Sequence, residues 1–316
     1  MFGWLRHWKP IGGGMIIIAL IGSYPATMVL SHKLPDQIAD SHRDEVWADQ
    51  RIGTAIELIQ TEFEVRHWSD ALPEWHPQNQ LIAVPAFQDG LRETLALFAD
   101  LRADTSQARR TRNEDLSIAA TLILNATGEG SEDQLSAAAE ALRRFDGLIA
   151  RSVLDSDALA DLMRAEATLY ADILSESVSD LRRSIQSDDH KIFDRARTDR
   201  YYRTVGKIYA VGTLLNAVQS DDIVQPGFRD AREKARDALA RAFAPRPLIV
   251  SNPEPGDFSL GGNDMMTLAY LIEWPSPAEA EAADEALAAA ETAFLAAAPA
   301  FDLGPPEVCL FDDMCE

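Results

Sequence analysis

The feature that most constrains this chain is an uncharged, strongly apolar stretch close to its N-terminus. No charged residue occurs between Pro10 and Ser31, and the segment from Ile11 to Leu30 reads IGGGMIIIALIGSYPATMVL. At a rise of about 1.5 Å per residue, a helix of this length spans the roughly 30 Å hydrocarbon core of a bilayer. The stretch therefore predicts a transmembrane anchor over residues 11–30, preceded by a short segment at residues 1–10.

The charges that flank the stretch predict its orientation. Arg6 and Lys9 precede it, whereas Lys33 follows it and the first acid of the chain is Asp36. The positive-inside rule keeps the more basic flank in the cytoplasm. We therefore expect residues 1–10 to be cytoplasmic and the rest of the chain to be exported.

A cleaved signal peptide is the competing interpretation of the apolar stretch. A cleaved signal peptide has an apolar core of roughly 7–15 residues and a small-x-small cleavage site. The run is longer here, and Tyr24 lies two positions before Ala26, so an uncleaved anchor is favoured. The spacing of Ala19 with Ser23 is also compatible with self-association of the helix through small residues.

The exported part is strongly acidic. Without Arg6, Lys9 and Lys33 it has 26 basic residues against 51 acidic ones, a formal charge of −25. This balance argues against nucleic acid and against an anionic membrane surface as partners, because both attract basic patches. A basic protein partner and adaptation to salt both remain open as explanations of the acidity.

Helical periodicity runs through almost all of the exported part. Apolar residues recur at spacings of three and four, which is typical of one face of a helix. The clearest case is a seam that follows Ser131, the expected N-cap, and consists of Leu135, Ala138, Leu142, Phe145 and Ile149. Further helices are predicted over residues 50–65, from Pro85, after Asn113, and over 156–186, 190–218 and 226–243. The predicted fold class is all-α, with one irregular domain of about eight helices over residues 31–298 and an acidic tail over residues 299–316.

No motif for catalysis, phosphate binding or metal binding occurs in the sequence. His67, Asp70, Glu74 and His76 lie close together, but their spacing fits no standard metal site. Neighbouring Trp and Pro residues favour a packed connection at this place. We therefore expect no metal, no cofactor and no catalytic residue.

The predicted binding edge lies on the helix over residues 190–218. Tyr202, Gly206 and Tyr209 share one face of this helix, and a glycine in a helix interior costs about 1 kcal/mol relative to alanine. Such a cost is understandable if another part of the chain packs close to the backbone there. We expect the loop rich in Pro and Gly over residues 253–262 to cover Gly206, with Phe258 near one of the two tyrosines. Asn263 is expected to cap the helix that follows, and the whole is predicted to form a partner- or ligand-binding edge. The alternative is that another helix crosses at Gly206.

Three stretches, in this order, resemble a family of uncharacterised single-pass inner-membrane proteins of Gram-negative bacteria. They are DALPEW at residues 70–75, DRYYRTVGKIYAVGTLLNAV at 199–218 and PLIVSNPEPGDFSLGGNDMMTLAYLI at 247–272. The resemblance implies a cytoplasmic start, one helix in the bacterial inner membrane and a helical periplasmic domain. It implies no activity.

The sequence thus favours a non-enzymatic, membrane-anchored periplasmic protein that binds a protein partner or is an accessory of an envelope complex. Two other hypotheses remain open. One is a periplasmic solute-binding or sensor domain, and the other is an enzyme that acts on an envelope substrate with carboxylates as acid and base. An enzyme would require convergent polar groups with shifted pKa values in a deep pocket.

Overall fold

The structure of this protein is a computed structural model. It describes residues 34–39, 47–62, 67–73, 75–76, 78, 82–105, 113–150, 156–186, 195–218, 226–244 and 250. The predicted anchor at residues 11–30, the loop with Phe258, the cap Asn263 and the tail at residues 299–316 lie outside the described residues, so these expectations stay predictions.

Every regular element of the described residues is helical, which confirms the all-α prediction. These are seven α-helices and one short 3-10 helix: α1 Gln50–Thr61, η1 Ser69–Ala71, α2 Ala83–Thr105, α3 Glu114–Asn125, α4 Ser131–Ile149, α5 Ser156–Gln186, α6 Arg195–Asn216 and α7 Pro226–Phe243. Within these ranges, no helix combines the length and the apolar character needed to cross a membrane.

Local sequence signals place several helix ends. The α3 helix begins after Asn113, whose side-chain oxygen accepts a hydrogen bond of 3.0 Å from the N–H of Leu116, as predicted. The expectation that Ser131 caps α4 is wrong. Gly130 holds the N-cap position with φ of +87°, and Ser131 is the first helical residue. Glycine adopts this left-handed conformation without steric cost, so it ends the preceding turn where a serine would be strained.

Helix α2 lies at the centre of the described fold. It packs against α6, α3 and α5, while α3 packs on α4, α4 on α1, and α7 on α6. The predicted seam of α4 faces this interior: Leu142 is 0% exposed and Phe145 is 6% exposed. The periodicity of the seam predicts that Leu142 and Phe145 are buried against other helices of the same chain, and this prediction is confirmed.

Candidate functional site

Gly206 is the point where α2 crosses α6. A Cβ atom added to Gly206 would lie 2.0 Å from the carbonyl oxygen of Phe87, and one added to Gly90 would lie 1.9 Å from the carbonyl oxygen of Arg203. The two backbones are therefore in direct contact, and each glycine makes room for a carbonyl of the other helix. The alternative interpretation, that another helix crosses at Gly206, is confirmed with α2 as that helix, so the backbone of α2 fills the space at Gly206 that the loop was expected to cover.

The two predicted tyrosines lie inside the domain. Tyr202 is 0% and Tyr209 is 4% exposed. The ring of Tyr209 lies between Phe87 of α2 and Phe243 of α7, with 5.4 Å between ring centroids in both pairs. Tyr202, Gly206 and Tyr209 thus meet on one buried face of α6, in contact with neighbouring helices. Phe258 lies outside the described residues, so its contact with one of these tyrosines stays a prediction.

Charged side chains flank the same crossing on its accessible side. The guanidinium of Arg203 lies 2.7 Å from the carboxylate of Glu93, 3.2 Å from that of Asp89 and 3.5 Å from that of Asp199. Lys207 adds a contact of 3.3 Å to Glu93. Burial raises the pKa of Asp199, and the nearby carboxylates act in the same direction against Arg203. Arg203 and Lys207 of α6 are therefore paired with acids of α2.

A second site, which we call the charge ring, is present in the structure and was not predicted from the sequence. It consists of Asp49, Arg51, Glu166 and Arg102, in that order around a closed cycle. Arg51 lies 3.2 Å from Asp49 and 2.8 Å from Glu166, Arg102 lies 2.9 Å from the other oxygen of Glu166, and the second guanidinium nitrogen of Arg102 contacts Asp49. All four residues are buried, with exposures of 7%, 5%, 3% and 2% around the cycle.

Each ring residue is placed by a helix whose buried face it shares. Asp49 is the N-cap of α1, and its carboxylate accepts a hydrogen bond of 2.9 Å from the N–H of Arg51. Arg102 lies four residues after Phe98 on the apolar face of α2, and Glu166 lies between Leu162 and Leu169 in the spacing of α5. The sequence signal of this site is a charged residue at an apolar position in each of three helices, but this signal does not show which of these residues pair.

The electrostatics of the ring favour the charged forms of Asp49 and Arg51. Burial alone would raise the pKa of the Asp49 carboxyl, but Arg102 and Arg51 together hold that pKa well below its usual range. Burial likewise opposes the charge of Arg51, yet Asp49 and Glu166 raise its pKa above the ordinary value. Burial and the nearby Glu166 raise the pKa of Tyr170 well above its usual value, so its phenol stays neutral.

The ring is continuous with the seam of α4. The carboxylate of Asp146 accepts hydrogen bonds from the N–H groups of Ala48 (3.1 Å) and Asp49 (2.8 Å). The guanidinium of Arg102 lies 6.0 Å from the ring centroid of Phe145, within the range of a cation–π contact. The ring therefore joins the start of α1 to α2, α4 and α5. Because its charges compensate one another away from solvent, it is suited to holding helices together and unsuited to proton transfer.

The cluster around His67 forms a packed connection, as the sequence indicated. The side chain of Gln88 accepts hydrogen bonds from the N–H (2.9 Å) and the hydroxyl (2.6 Å) of Ser69, and it donates one of 2.9 Å to the carbonyl of His67. Trp68 is 2% exposed. Among the described residues, which do not include Glu74, no group of three or more His, Cys, Asp or Glu residues is arranged to hold a metal ion.

Among the described residues, α3 is the helix that exposes two large apolar side chains on its outer face. No charged residue occurs between Leu116 and Asn125, and Ile118 and Leu124 are 39% and 55% exposed. The polar groups on this face are bonded to their own helix. The hydroxyl of Thr121 donates to the carbonyl of Ser117 (2.8 Å), and the amide of Asn125 donates to the carbonyl of Thr121 (2.9 Å).

Comparison with protein-family models, curated proteins and solved structures gives no match to this chain.

Proposed function

We propose that this chain is a non-enzymatic protein of the bacterial inner membrane, anchored by residues 11–30, whose helical periplasmic domain binds a protein partner in the cell envelope. The anchor and the orientation rest on the apolar stretch and its basic flank. The observation that carries partner binding is the outer face of α3, with Ile118 and Leu124 exposed and no charge in between.

The chemistry of this face fits an apolar protein surface. Full burial of an Ile or Leu side chain contributes about 1.5–3 kcal/mol of free energy. The share that corresponds to the surface still exposed on Ile118 and Leu124 would be gained when a partner covers it. Thr121 and Asn125 already hydrogen-bond within α3, so covering them breaks few bonds to water. A partner helix or sheet with an apolar face would therefore bury this surface at little polar cost.

The charge ring supports a non-enzymatic reading. A general acid or base needs a pKa near the working pH and access to a substrate. The pKa of Asp49 lies far below that range, and both carboxylates of the ring are buried against arginines. The most perturbed ionisable groups among the described residues thus have a structural role.

Affinity capture of the full chain from detergent-solubilised membranes tests partner binding. We expect a stoichiometric partner that is retained by the parent chain and lost when Ile118 and Leu124 are both replaced by Glu. Leu148→Glu is the matched control, because Leu148 is 48% exposed on α4 and lies outside the α3 face. Equal capture by all three chains would rule out α3 as the binding face, and a parent chain without a stoichiometric partner would contradict the proposal itself.

A fluorescent reporter that matures only in the cytoplasm tests the topology. It should be bright when fused before Met1 and dark when fused after Glu316. The reverse pattern would refute the orientation and the periplasmic location together.

A further inference from the structure

Two stretches of the chain without lysine or arginine meet at one end of the described domain. They cover residues 67–91 and residues 113–142. The first stretch includes η1, which packs on α4 in the second stretch. The backbone N–H of Gly128, in the turn before α4, donates a hydrogen bond to the carboxylate of Asp70. Two parts of the chain that are far apart in sequence thus form one surface without a base of its own.

Carboxylates dominate this surface, which we call the acidic end and define as the described residues of 67–76 together with residues 124–133. Glu129 and Asp133 are exposed, and Glu132 is half-buried. The C-terminal end of α3 adds about half a negative charge, and the N-terminal end of α4 offsets about the same amount. The carboxylates therefore determine the sign of the charge at the acidic end.

One base reaches the acidic end from the interior, and it is already bound. Arg92 is 8% exposed, and its guanidinium donates to the carbonyl of Leu124 and lies 2.8 Å from the carboxylate of Asp89. Burial and the negative charge of Asp89 raise the pKa of the Asp70 carboxyl in spite of Arg92. The excess of negative charge at this surface is thus left for an external cation to compensate.

The acidic end also carries the two most exposed large apolar side chains of the described residues. Trp75, in the connection that follows η1, is 71% exposed, and Leu124, on the outer face of α3, is 55% exposed. The face of an indole ring attracts a Lys or Arg side chain, and the aliphatic stem of such a side chain packs on apolar surface. Exposed apolar side chains beside uncompensated carboxylates fit a segment that is both basic and apolar.

We propose that the acidic end docks a basic and apolar segment of the protein partner, with its Lys or Arg side chains against Glu129, Asp133 and the ring of Trp75. The inference rests on the proposed function, because it names the chemistry of the partner that covers the α3 face. The apolar side chains of this segment bury Ile118 and Leu124, and its bases lie beside the C-terminal end of α3. Opposite charges at the edge of such a contact raise the association rate and exclude acidic competitors.

Site-specific photo-crosslinking in cells that produce the full chain tests the docking. The photoreactive residue p-benzoylphenylalanine is placed at Trp75 or at Leu124, and Leu148 on α4 is the matched control position because it is 48% exposed. We expect an adduct of one defined mass at positions 75 and 124 and none at position 148. Mass spectrometry of the adduct should identify a segment with more Lys and Arg than Asp and Glu.

Charge reversal tests the electrostatic part of the contact. With Glu129→Lys and Asp133→Lys, association should slow, and the yield of the adduct at position 124 should fall about tenfold. Asp172→Lys with Glu176→Lys changes the net charge of the chain equally at exposed positions of α5 and should leave the yield unchanged. Circular dichroism checks the folding of each variant. The neutral pair Glu129→Gln with Asp133→Asn, which should give an intermediate yield, decides the question if the Lys pair does not fold.

Three results would overturn the inference. They are a cross-linked segment without a surplus of Lys and Arg, a yield that is unchanged when the charges at Glu129 and Asp133 are altered, and an equal loss of yield in the α5 variant. Each of these refutes the basic segment and leaves the α3 face as the binding surface. The absence of an adduct at both positions 75 and 124 would instead contradict partner binding itself.

Discussion

Helix α2 meets its neighbours in opposite ways at its two ends. Near its start, Gly90 and Phe87 touch the backbone of α6, and the contact depends on the absence of side chains. Near its end, Arg102 reaches Asp49 and Glu166, and the contact depends on long charged side chains of opposite sign. One contact is defined by shape and the other by charge.

The difference indicates how each contact should fail. The glycine crossing has no room for one added carbon atom, because the nearest atoms are backbone carbonyl oxygens that cannot rotate away. The charge ring has room for other side chains of similar volume but does not tolerate an unbalanced charge, because a buried ion without its partner is strongly destabilising. The predictions below test this contrast.

The largest effect is expected for Glu166→Ala. It leaves Arg51 and Arg102 buried with Asp49 as the one remaining carboxylate of the ring, and breaking a buried ion pair in this way costs about 3–5 kcal/mol. Urea unfolding of the full chain in detergent, followed by circular dichroism, measures this change. Glu176→Ala is the control on the same helix, since Glu176 is exposed and should shift the free energy of unfolding by no more than about 0.5 kcal/mol.

A balanced replacement sharpens the same comparison. In the double variant Arg102→Met with Glu166→Met, one base and one acid leave together and the pair of Asp49 with Arg51 remains. Replacement of buried ion pairs by apolar residues of similar volume is often neutral or stabilising. The double variant should therefore be more stable than Glu166→Ala, although it changes more atoms. A double variant that is less stable would show that packing, and not charge balance, dominates the ring.

At the glycine crossing, Gly206→Ala should destabilise the domain by about 1–3 kcal/mol, even though alanine is the better helix former. The matched variant is Gly212→Ala on the same helix. The three atoms nearest to its Cβ all belong to the Ile38 side chain, which can shift more easily than a backbone carbonyl, so the change should stay within about 1 kcal/mol. Equal effects for the two variants in urea unfolding would contradict the backbone contact at Gly206.

Acid should weaken the ring through Asp49. The pKa of this carboxyl is depressed in the folded state, so its contribution is fully present above its unfolded pKa of about 3.9 and is lost as the pH falls through the folded pKa. Asp49→Asn should therefore differ most from the parent near neutral pH, and the difference should shrink below about pH 4 by at most about 1.4 kcal/mol per pH unit. Urea unfolding of both chains across this range measures the narrowing, and a constant difference would contradict it.

The smallest effect, of opposite sign, is expected at Asp70. Burial and the nearby Asp89 raise the pKa of Asp70 in the folded state, so protonation favours folding and the ionised carboxyl is unfavourable at neutral pH. Asp70→Asn should stabilise the domain at pH 7 by no more than about 0.5 kcal/mol, because solvent screens this half-exposed group. The gain should disappear as the pH falls through the raised pKa. Destabilisation at pH 7 would show that the hydrogen bond from the N–H of Gly128 dominates.

Sequence patterns predicted the elements of this fold better than their contacts. The bounds of α5 and α7 agree with the predicted ranges 156–186 and 226–243, because an apolar stripe and a first-turn proline are local signals. The cap of α4 was assigned to Ser131 because a left-handed Gly130 cannot be distinguished from an ordinary loop residue by type alone.

The two contacts of α2 show why the candidate site could be predicted from the sequence only in part. Gly206 indicated a close approach on its own helix, but the sequence does not say which distant segment fills the space. The charge ring was missed for a related reason. Its members come from three helices, and in a chain with 51 acidic residues a single Glu166 within an apolar spacing does not stand out. Pairing across the chain is a tertiary property, which helical periodicity does not encode.

The charge ring also restricts how this sequence can drift. A lineage that loses Arg102 alone passes through an ancestor with an unstable domain. Loss of Glu166, at the same time or later, removes the unpaired opposite charge and restores folding. Substitutions at the four ring positions should therefore be correlated among descendants of this chain, while Glu176 and other exposed acids change independently. The ring would then be visible as an epistatic group in a deep mutational scan, where pairs of changes survive that are lethal to folding when made one at a time.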